Sequence, residues 1–417
     1  MSNPPDAAAT PAPVATPAPV ATPTPSPTAS PSPTTAPSPS PAPSPTASPA
    51  GDVPAEALQA RLDAMRTKLA IPGASVAILW DDGRQWLGAS GLADIKRKVP
   101  MTTATAFALA SISKTFTAAV ILQLVEEGRL SLDQPVAPLL PEFALDKRLT
   151  VRELLDHTSG LPDYFQNVKI DRPLQADPNA TWTAQQTWAY VPKKHPGPGR
   201  LWIYSNSNYL LLGELVKRVT GRPLSAEIRE RLLDPLGLTS AWYQAEERPR
   251  AGGSVGYRVL PSSGGAVRFA RVAPPSKVMP FRSVVTAAGG AGSMASTALD
   301  AARWIRAYAG GDVLTPETRA LQVKDAAGTL ALGAEIPYGL GIQAITLGGH
   351  AALGHSGRFL GFRNVARYLP DDGITIAVLT NQGVRDPSRI AAELLKIVLP
   401  PAPLPSGSPS AAPTTTP

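Results

Sequence analysis

The stretch Ala110-Ser111-Ile112-Ser113-Lys114-Thr115-Phe116 opens an apolar run whose spacing is helical. From this start, apolar residues recur at intervals of three or four positions, at Ile112, Phe116, Ala119, Val120 and Leu124. Gly128 follows the run at the position where a glycine commonly ends a helix. The pattern therefore predicts a helix that starts at this stretch and stops before Gly128.

Ser111 and Lys114 are three positions apart, so they share one face of the predicted helix. An amine buried at a helix N-terminus tends to lose its proton, because burial disfavours the ammonium and the helix dipole repels it. A neutral lysine can take the proton of the serine hydroxyl, and the dipole then stabilises the alkoxide. The pair is a candidate nucleophile with its own base. Alone the signal is weak, since an N-cap serine near a solvated lysine has the same spacing.

The composition excludes several classes of protein. The chain has 417 residues and a formal net charge of +7, but its lysines and arginines are scattered, which does not favour nucleic-acid binding. It has no cysteine, which excludes disulfides, thiolate metal sites and a cysteine nucleophile. No apolar run approaches the ~18–20 residues of a membrane span. No metal or cofactor is expected, because metal-ligand spacing is absent among the four histidines, His157, His195, His350 and His355.

Both ends of the chain differ in composition from its middle. Residues 1–52 are rich in proline, alanine, serine and threonine and contain no aromatic residue, lysine or arginine. Such a segment buries too little apolar surface to offset its chain entropy, and its prolines favour extended conformations. A similar composition resumes at residue 400. We therefore predict a disordered tether at 1–52, a globular domain at 53–399 and a disordered tail at 400–417.

Within the globular part, strand patterns lie at the two ends and helical patterns fill the middle. A helix from Pro54 precedes a hairpin of strands at 75–80 and 85–91, with Asp82-Gly83 as its turn. Three late strands at 352–357, 362–369 and 374–380 precede a final helix at 387–398. Between them, helices are predicted at 151–156, 209–219, 226–233 and 299–308. This order predicts an α/β (α+β) fold with one antiparallel sheet, whose early hairpin pairs with the late strands. The first and last helices would cover one face of the sheet, and the Ser111 helix would lie between it and an inserted helical lobe.

Two further motifs follow the Ser-x-x-Lys stretch. Tyr204-Ser205-Asn206 lies just before a predicted helix, and Gly354-His355-Ser356-Gly357 lies at the end of a predicted strand. In this order the three motifs resemble the penicillin-binding and serine β-lactamase superfamily, over about residues 55–398. The nearest branch is the group of D-alanyl-D-alanine carboxypeptidases, class C β-lactamases and related esterases. Four flanking stretches match that family as well: Gly128-Arg129-Leu130-Ser131-Leu132-Asp133, His157-Thr158-Ser159-Gly160-Leu161, Asp234-Pro235-Leu236-Gly237-Leu238 and Gly289-Gly290-Ala291-Gly292-Ser293-Met294.

The resemblance implies a role for each motif residue. Ser111 would attack the substrate carbonyl and become acylated. Lys114 and Tyr204 would relay its proton to the leaving group and then activate water, with the charge of Lys114 lowering the high pKa of the tyrosine. Asn206 would donate to the substrate amide and orient Lys114, while its plainer role is to cap the next helix. The oxyanion would be held by the backbone N–H groups of Ser111 and Arg358.

The strand motif departs from the family pattern. His355 and Ser356 stand where many β-lactamases have lysine and threonine, and a neutral imidazole anchors a substrate carboxylate less well than an ammonium does. Gly357 would let the substrate lie close against the strand. The departure makes efficient β-lactamase activity less expected than carboxypeptidase or esterase activity. Three arginines are candidates for the missing charge, although each is expected at the surface: Arg282, Arg358 and Arg363.

We therefore expect a serine hydrolase that forms an acyl-enzyme on Ser111, acting as a D-alanyl-D-alanine carboxypeptidase-like peptidase or a β-lactamase-related hydrolase. The substrate would be a peptidoglycan stem peptide, a β-lactam or, in the alternative, a small ester. A penicillin or peptidoglycan sensor without turnover is the alternative from another class. The resemblance and the tether favour a location outside the cytoplasm, for a chain from which a signal peptide was removed, since the sequence itself has none.

The rival fold for a serine nucleophile is the α/β-hydrolase. Its nucleophile elbow has the pattern Gly-x-Ser-x-Gly, and Gly354-His355-Ser356-Gly357-Arg358 lacks the last glycine. A strand pattern also follows this segment, where the elbow needs a helix. We therefore reject this fold. We expect His157 to be a structural hydrogen-bonding residue rather than a catalyst.

Overall fold

The computed structural model describes residues 53–260, 267–274, 276–324 and 326–400, so the predicted tether and, apart from Pro400, the predicted tail lie outside it. The strands are β1 Gly73–Trp80, β2 Gln85–Asp94, β3 Val99–Pro100, β4 Phe107–Ala108, β5 Trp242–Tyr243, β6 Tyr257–Leu260, β7 Arg268–Arg271, β8 Met294–Ser296, β9 Gln343–Leu347, β10 His350–Phe359, β11 Phe362–Leu369 and β12 Ile374–Thr380. The helices are α1 Ala55–Lys68, α2 Ser113–Glu126, α3 Val151–Leu155, α4 Asp171–Ala176, α5 Ala184–Trp188, α6 Asn206–Thr220, α7 Leu224–Ile228, α8 Arg282–Ala288, α9 Ala298–Gly310, α10 Pro316–Lys324, α11 Gly328–Ala331 and α12 Ser388–Val398. None of these helices is long and apolar enough to cross a membrane.

The largest sheet has the strand order β3-β2-β1-β12-β11-β10-β9, and its neighbours run antiparallel. The first long strand therefore pairs with the last, and Val76 of β1 lies opposite Val378 of β12. This confirms the prediction that the early hairpin and the late strands form one sheet.

Both faces of this sheet are covered, which explains why β1 is buried along its whole length. Val76 and Ile78 belong to the apolar cluster under α1 and α12, whereas Ala77 and Leu79 belong to the larger cluster on the opposite face. Helix α9 packs on that opposite face, against β1, β11 and β12. The first and last helices thus share one face, as predicted.

The nucleophile stretch lies at the junction of the sheet and the helical lobe. Ser111 sits in a single 3₁₀ turn, Ala110–Ile112, which contacts β10 and β11 and leads into α2. Helix α2 packs on α6 and α7 of the lobe, and Phe116 and Leu124 are fully buried within it. Gly128 has φ of +69°, the left-handed conformation that ends a helix. The predicted position of the Ser111 helix between the two layers is confirmed.

The structure adds elements that the sequence patterns did not predict. The segment predicted as one helix at 226–233 is α7 followed by a π-helical turn, Arg229–Leu233. Strand β9 was not predicted, because its five residues are short and flanked by glycine-rich segments. Along β10 it pairs with His350–Gly354. From His355 onward, the outer edge of β10 has no strand partner among the residues that the structure describes, and only the Gln343 side chain accepts from it, at the backbone N–H of Ser356. This edge borders the candidate site.

Candidate active site

Lys114 lies at the centre of the site. Its side chain is fully buried, and its Nζ is 3.1 Å from Ser111 Oγ, 2.7 Å from Asn206 Oδ1 and 3.1 Å from the carbonyl oxygen of Ala291. The helix spacing predicted from the sequence therefore does bring Lys114 against Ser111. Asn206, which is distant in sequence, completes the group.

Burial lowers the pKa of Lys114 from 10.5 to about 7, and the nearby charge of Asp163 opposes that shift. The neutral amine has two N–H bonds and one lone pair. The carbonyl oxygens of Asn206 and Ala291 accept those two N–H bonds. The lone pair is then left for the hydroxyl proton of Ser111. The arrangement is that of a general base beside a nucleophile.

Asp163 was not identified from the sequence, yet it fixes the orientation of Asn206. The Nδ2 of Asn206 donates to Asp163 Oδ2 at 2.7 Å, so the opposite end of the amide, Oδ1, faces Lys114. Asp163 also accepts from the backbone N–H of Phe165, and burial raises the pKa of its carboxyl. Its position in the chain carries no signal of this role, because the contact depends on how the lobe folds against α6.

Tyr204 lies over Lys114, with the Nζ 4.9 Å from the centre of the phenol ring. The expectation that Lys114 lowers the pKa of Tyr204 is wrong. Burial raises that pKa further above 10.0 and outweighs the opposing hydrogen bond with Ser111. Tyr204 is therefore protonated at neutral pH and suited to donating a proton, while Lys114 is the better base.

The start of α6 is anchored by His157. This histidine is fully buried, and its Nδ1 accepts from the backbone N–H of Ser205 at 3.2 Å and lies 3.0 Å from Asn208 Nδ2. Burial lowers its pKa well below 6.5, so it is neutral. This geometry agrees with the predicted structural role. The capping role considered for Asn206 is wrong, because Ser205 is the N-cap and its side chain accepts from the N–H of Ser207.

The strand side of the site contains His355 in a neutral form. It is 1% exposed, its Nδ1 donates to the carbonyl oxygen of Ser356 at 2.6 Å, and its Nε2 lies 2.9 Å from the Tyr338 hydroxyl. Burial lowers its pKa well below 6.5. Both ring nitrogens are thus engaged within the protein. The position therefore carries no positive charge at neutral pH.

Gly357 is required by contact within the protein. A Cβ atom at this position would lie 2.1 Å from the carbonyl oxygen of Leu109, just before the nucleophile turn. The glycine therefore lets β10 approach that turn, rather than only leaving space for substrate as expected from the sequence. This close approach brings Arg358, whose side chain is exposed, to the same end of the site as Ser111. The predicted oxyanion role of their backbone N–H groups stays a prediction.

The other two arginine candidates are held by other groups of the protein, although Arg363 also lines the cavity of the site. Arg363 pairs with Asp386 at 3.0 Å, and Arg282 donates to the hydroxyl of Thr181 at 2.8 Å. Both side chains are partly exposed. The guanidinium groups of both arginines are thus engaged by the protein itself.

These groups line an open cavity of about 830 Å³. Ser111, Tyr204, Asn206 and Ser356 all contribute to its wall, with Lys114 buried behind them. Within the described part of the chain, no group of acidic, histidine or cysteine side chains could hold a metal ion. The nucleophile, the base and the proton donor that acyl transfer needs are thus gathered at one wall of the cavity.

Known proteins of one family are similar to nearly the whole globular part of this chain. The family model described as Beta-lactamase matches residues 58–398. Penicillin-binding protein 4 of Amycolatopsis lactamdurans is 31% identical over 340 residues, which cover 78% of this chain and 85% of that protein. A D-aminopeptidase of Brucella anthropi is 30% identical over 79% of this chain, which spans 59% of its length. The crystal structure of a D-stereospecific amidohydrolase from Streptomyces sp. superposes with a TM-score of 0.66 at 29% identity, covering 81% of this chain and 97% of that one.

Proposed function

Because the chain belongs to the β-lactamase family of serine hydrolases, we propose that it is a carboxypeptidase-like peptidase that cleaves the amide bond after a D-amino-acid residue through an acyl-enzyme on Ser111. The single observation that carries the proposal is the contact of 3.1 Å between Ser111 Oγ and the buried Lys114 Nζ. In this arrangement Lys114 removes the hydroxyl proton while Ser111 Oγ bonds to the substrate carbonyl carbon. The carbonyl π electrons move onto the oxygen, which the backbone N–H groups of Ser111 and Arg358 hold.

The tetrahedral intermediate collapses when its C–N bond breaks. The leaving amine needs a proton, and Tyr204 supplies it because burial keeps its hydroxyl protonated. Tyr204 then recovers a proton from the ammonium of Lys114, whose pKa of about 7 allows rapid exchange. Deacylation follows the same path with water as the nucleophile, and it restores the Ser111 hydroxyl.

The choice of a D-amino-acid substrate is supported by the names of similar proteins. A penicillin-binding protein and a D-aminopeptidase are each at least 30% identical to this chain. Beyond Ser356, whose backbone N–H donates to the Gln343 side chain, the outer edge of β10 has no strand partner among the described residues. That edge is suited to an extended peptide, whose backbone can pair with a strand edge. A small ester has no peptide backbone to pair with this edge, so an esterase is the second candidate in the test below.

The proposal is tested with an acetylated tripeptide that ends in D-alanyl-D-alanine, by measuring released D-alanine. We expect release by the wild type and none above background by Ser111→Ala. Intact mass after mixing with benzylpenicillin should reveal one covalent adduct. Ser113→Ala is the matched control, because Ser113 lies two residues away and would be found in the same peptide on mapping. It should keep the adduct that Ser111→Ala loses.

Three other outcomes would replace the proposal. An adduct that persists without any D-alanine release would favour a sensor that is acylated and barely turns over. Hydrolysed penicillin without an adduct would favour a β-lactamase. If neither occurred, Ser111-dependent cleavage of a short-chain nitrophenyl ester would favour an esterase.

A further inference from the structure

Arg367 is a buried cation with no use in the chemistry described so far. It lies on β11 opposite Gly354 of β10, and its side chain is only 1% exposed. Within the residues that the structure describes, no carboxylate forms an ion pair with it, and its Nε and Nη1 have no hydrogen-bond partner. Asp386, whose charge acts on it from a distance, is paired with Arg363. Burying a charge in this way is unfavourable, so the position calls for a functional explanation.

The remaining nitrogen of the guanidinium is directed at the wall of the cavity. Its Nη2 donates to Ser356 Oγ at 2.8 Å and to Gln343 Oε1 at 2.6 Å. Gln343 Oε1 also accepts from the backbone N–H of Ser356 at 3.0 Å. Ser356 and Gln343 both line the cavity, whereas Arg367 lies behind them.

This arrangement makes the Ser356 hydroxyl a directed donor. Because its oxygen already accepts from a cation, the hydroxyl proton is polarised and available to an acceptor in the cavity. An anion there would also meet the positive charge of Arg367 across one side chain, in a region of low dielectric. His355 cannot supply that charge, because it is neutral and both of its ring nitrogens are engaged.

We propose that Arg367, acting through Ser356 and Gln343, is the anchor for a free carboxylate on the substrate. The inference rests on the proposed function and specifies its substrate as a peptide that ends one residue after the cleaved bond. Ser356 is two residues before Arg358, about 7 Å along the strand. A carboxylate at Ser356 therefore belongs to the residue that follows a carbonyl held at Arg358. Arg367 is a positioning residue in this scheme, since it reaches the substrate through Ser356.

The test compares the acetylated tripeptide that ends in D-alanyl-D-alanine with its C-terminal carboxamide. We expect the wild type to prefer the free acid in kcat/KM, and Arg367→Gln to lose about tenfold or more on the acid while changing little on the amide. Ser356→Ala should show the same selective loss, and Arg367→Lys should keep part of the preference. Arg61→Gln removes the same charge at a surface ion pair far from the cavity and should leave the preference unchanged.

Folding of the variants is checked by thermal unfolding. Arg367→Gln removes an unpaired buried charge, so its melting temperature should not fall. If that variant is unfolded, Ser356→Ala decides the question alone, because it leaves Arg367 in place. Equal losses on the acid and the amide would mean that Arg367 has a structural role only, which overturns the inference. A wild type that turns over both substrates equally, in a Ser111-dependent way, would overturn it as well and leave the proposed function intact.

A binding measurement separates the two proposals when neither peptide is cleaved. In that case the proposed function fails, and the anchor is tested by the shift in melting temperature with N-acetyl-D-alanine against N-acetyl-D-alaninamide. A shift with the acid alone, lost in Arg367→Gln, would support the anchor. The same response to both compounds, or to neither, would overturn it.

Discussion

Lys114 and Asp163 are joined through one side chain, the amide of Asn206. The Oδ1 of that amide accepts from Lys114 Nζ at 2.7 Å, and its Nδ2 donates to Asp163 Oδ2 at 2.7 Å. The negative charge of Asp163 raises the pKa of Lys114 against the larger effect of burial. Asp163 therefore fixes which end of the amide faces the base, and it also makes that amine more basic than burial alone would leave it.

Asp163→Asn should move the acidic limb of the kcat/KM profile to lower pH. The variant keeps an oxygen for Asn206 but removes the charge that stabilises the Lys114 ammonium, so the pKa of Lys114 falls below about 7. Since only the neutral lysine accepts the Ser111 proton, the active form then persists to lower pH. Rates of tripeptide cleavage over about pH 5 to 9 would measure the limb. As a control, Asp371→Asn removes a charge at an exposed turn and should leave the acidic limb at its wild-type pH. If the limb moved to higher pH in Asp163→Asn, the role given to Asp163 would be wrong.

Lys114→Met should be inactive and more stable than the wild type. Methionine fills a similar volume and removes an amine whose burial disfavours its charged form, so the melting temperature should rise by about 2 °C or more. The gain should be largest at and below about pH 7, where the folded wild type holds a buried ammonium. It should shrink as the pH rises from about 7 towards 10.5, because the folded state loses its proton before the unfolded chain does. Unfolding measured at several pH values would check this, and a melting temperature below that of the wild type would count against it.

Tyr204→Phe should lower kcat for the tripeptide by about 10²–10⁴-fold, because the leaving amine loses its proton donor. The ring is kept, so the packing against His157, with ring centres 4.4 Å apart, should be preserved and the melting temperature little changed. The wild type should show no basic limb from Tyr204 below about pH 10, since burial raises the pKa of this phenol. A variant with wild-type kcat would assign the proton donor elsewhere.

Gly357→Ala should impair catalysis through the backbone. The new Cβ would lie 2.1 Å from the Leu109 carbonyl oxygen, so β10 must move away from the nucleophile turn. A displacement of this kind should lower kcat/KM by about tenfold or more. Gly328→Ala is the control, because a Cβ there meets nothing within 4 Å. If the two variants were equally active, the close approach of strand and turn would not matter for activity.

Much of the fold could be predicted because it follows from local periodicity. The helical spacing after Ser111 and the strand patterns near both ends indicate which faces of these elements must be buried. The early and late strands can bury those faces in one sheet, in which Val76 lies opposite Val378. Strand β9 escaped prediction because it is short and lies between glycine-rich segments. The sequence of β9 also gave no indication that this strand would pair with only the first half of β10.

The parts of the site that were missed depend on contacts across the fold. Asp163 contacts Asn206, which is 43 positions away in sequence, and Arg367 contacts Gln343, which is 24 positions away. Neither Asp163 nor Arg367 belongs to a motif that the sequence analysis used. The pKa of Tyr204 was predicted in the wrong direction, because sequence reveals a neighbouring lysine but not the extent of burial. Burial is a property of the assembled layers, and it governs Lys114, His157 and His355 in the same way.

The pairing of β1 with β12 also determines when this protein can fold during synthesis. The two strands are separated by almost the whole globular region, so the centre of the sheet cannot close until residues 374–380 have left the ribosome. The turn that carries Ser111 rests on β10 and β11, which are synthesised just as late. Contacts of such long sequence separation slow folding and leave apolar strands without partners in the meantime. A nascent chain that ends before β12 should therefore be inactive and prone to aggregation, and the nucleophile should become reactive only after the last strand has been added.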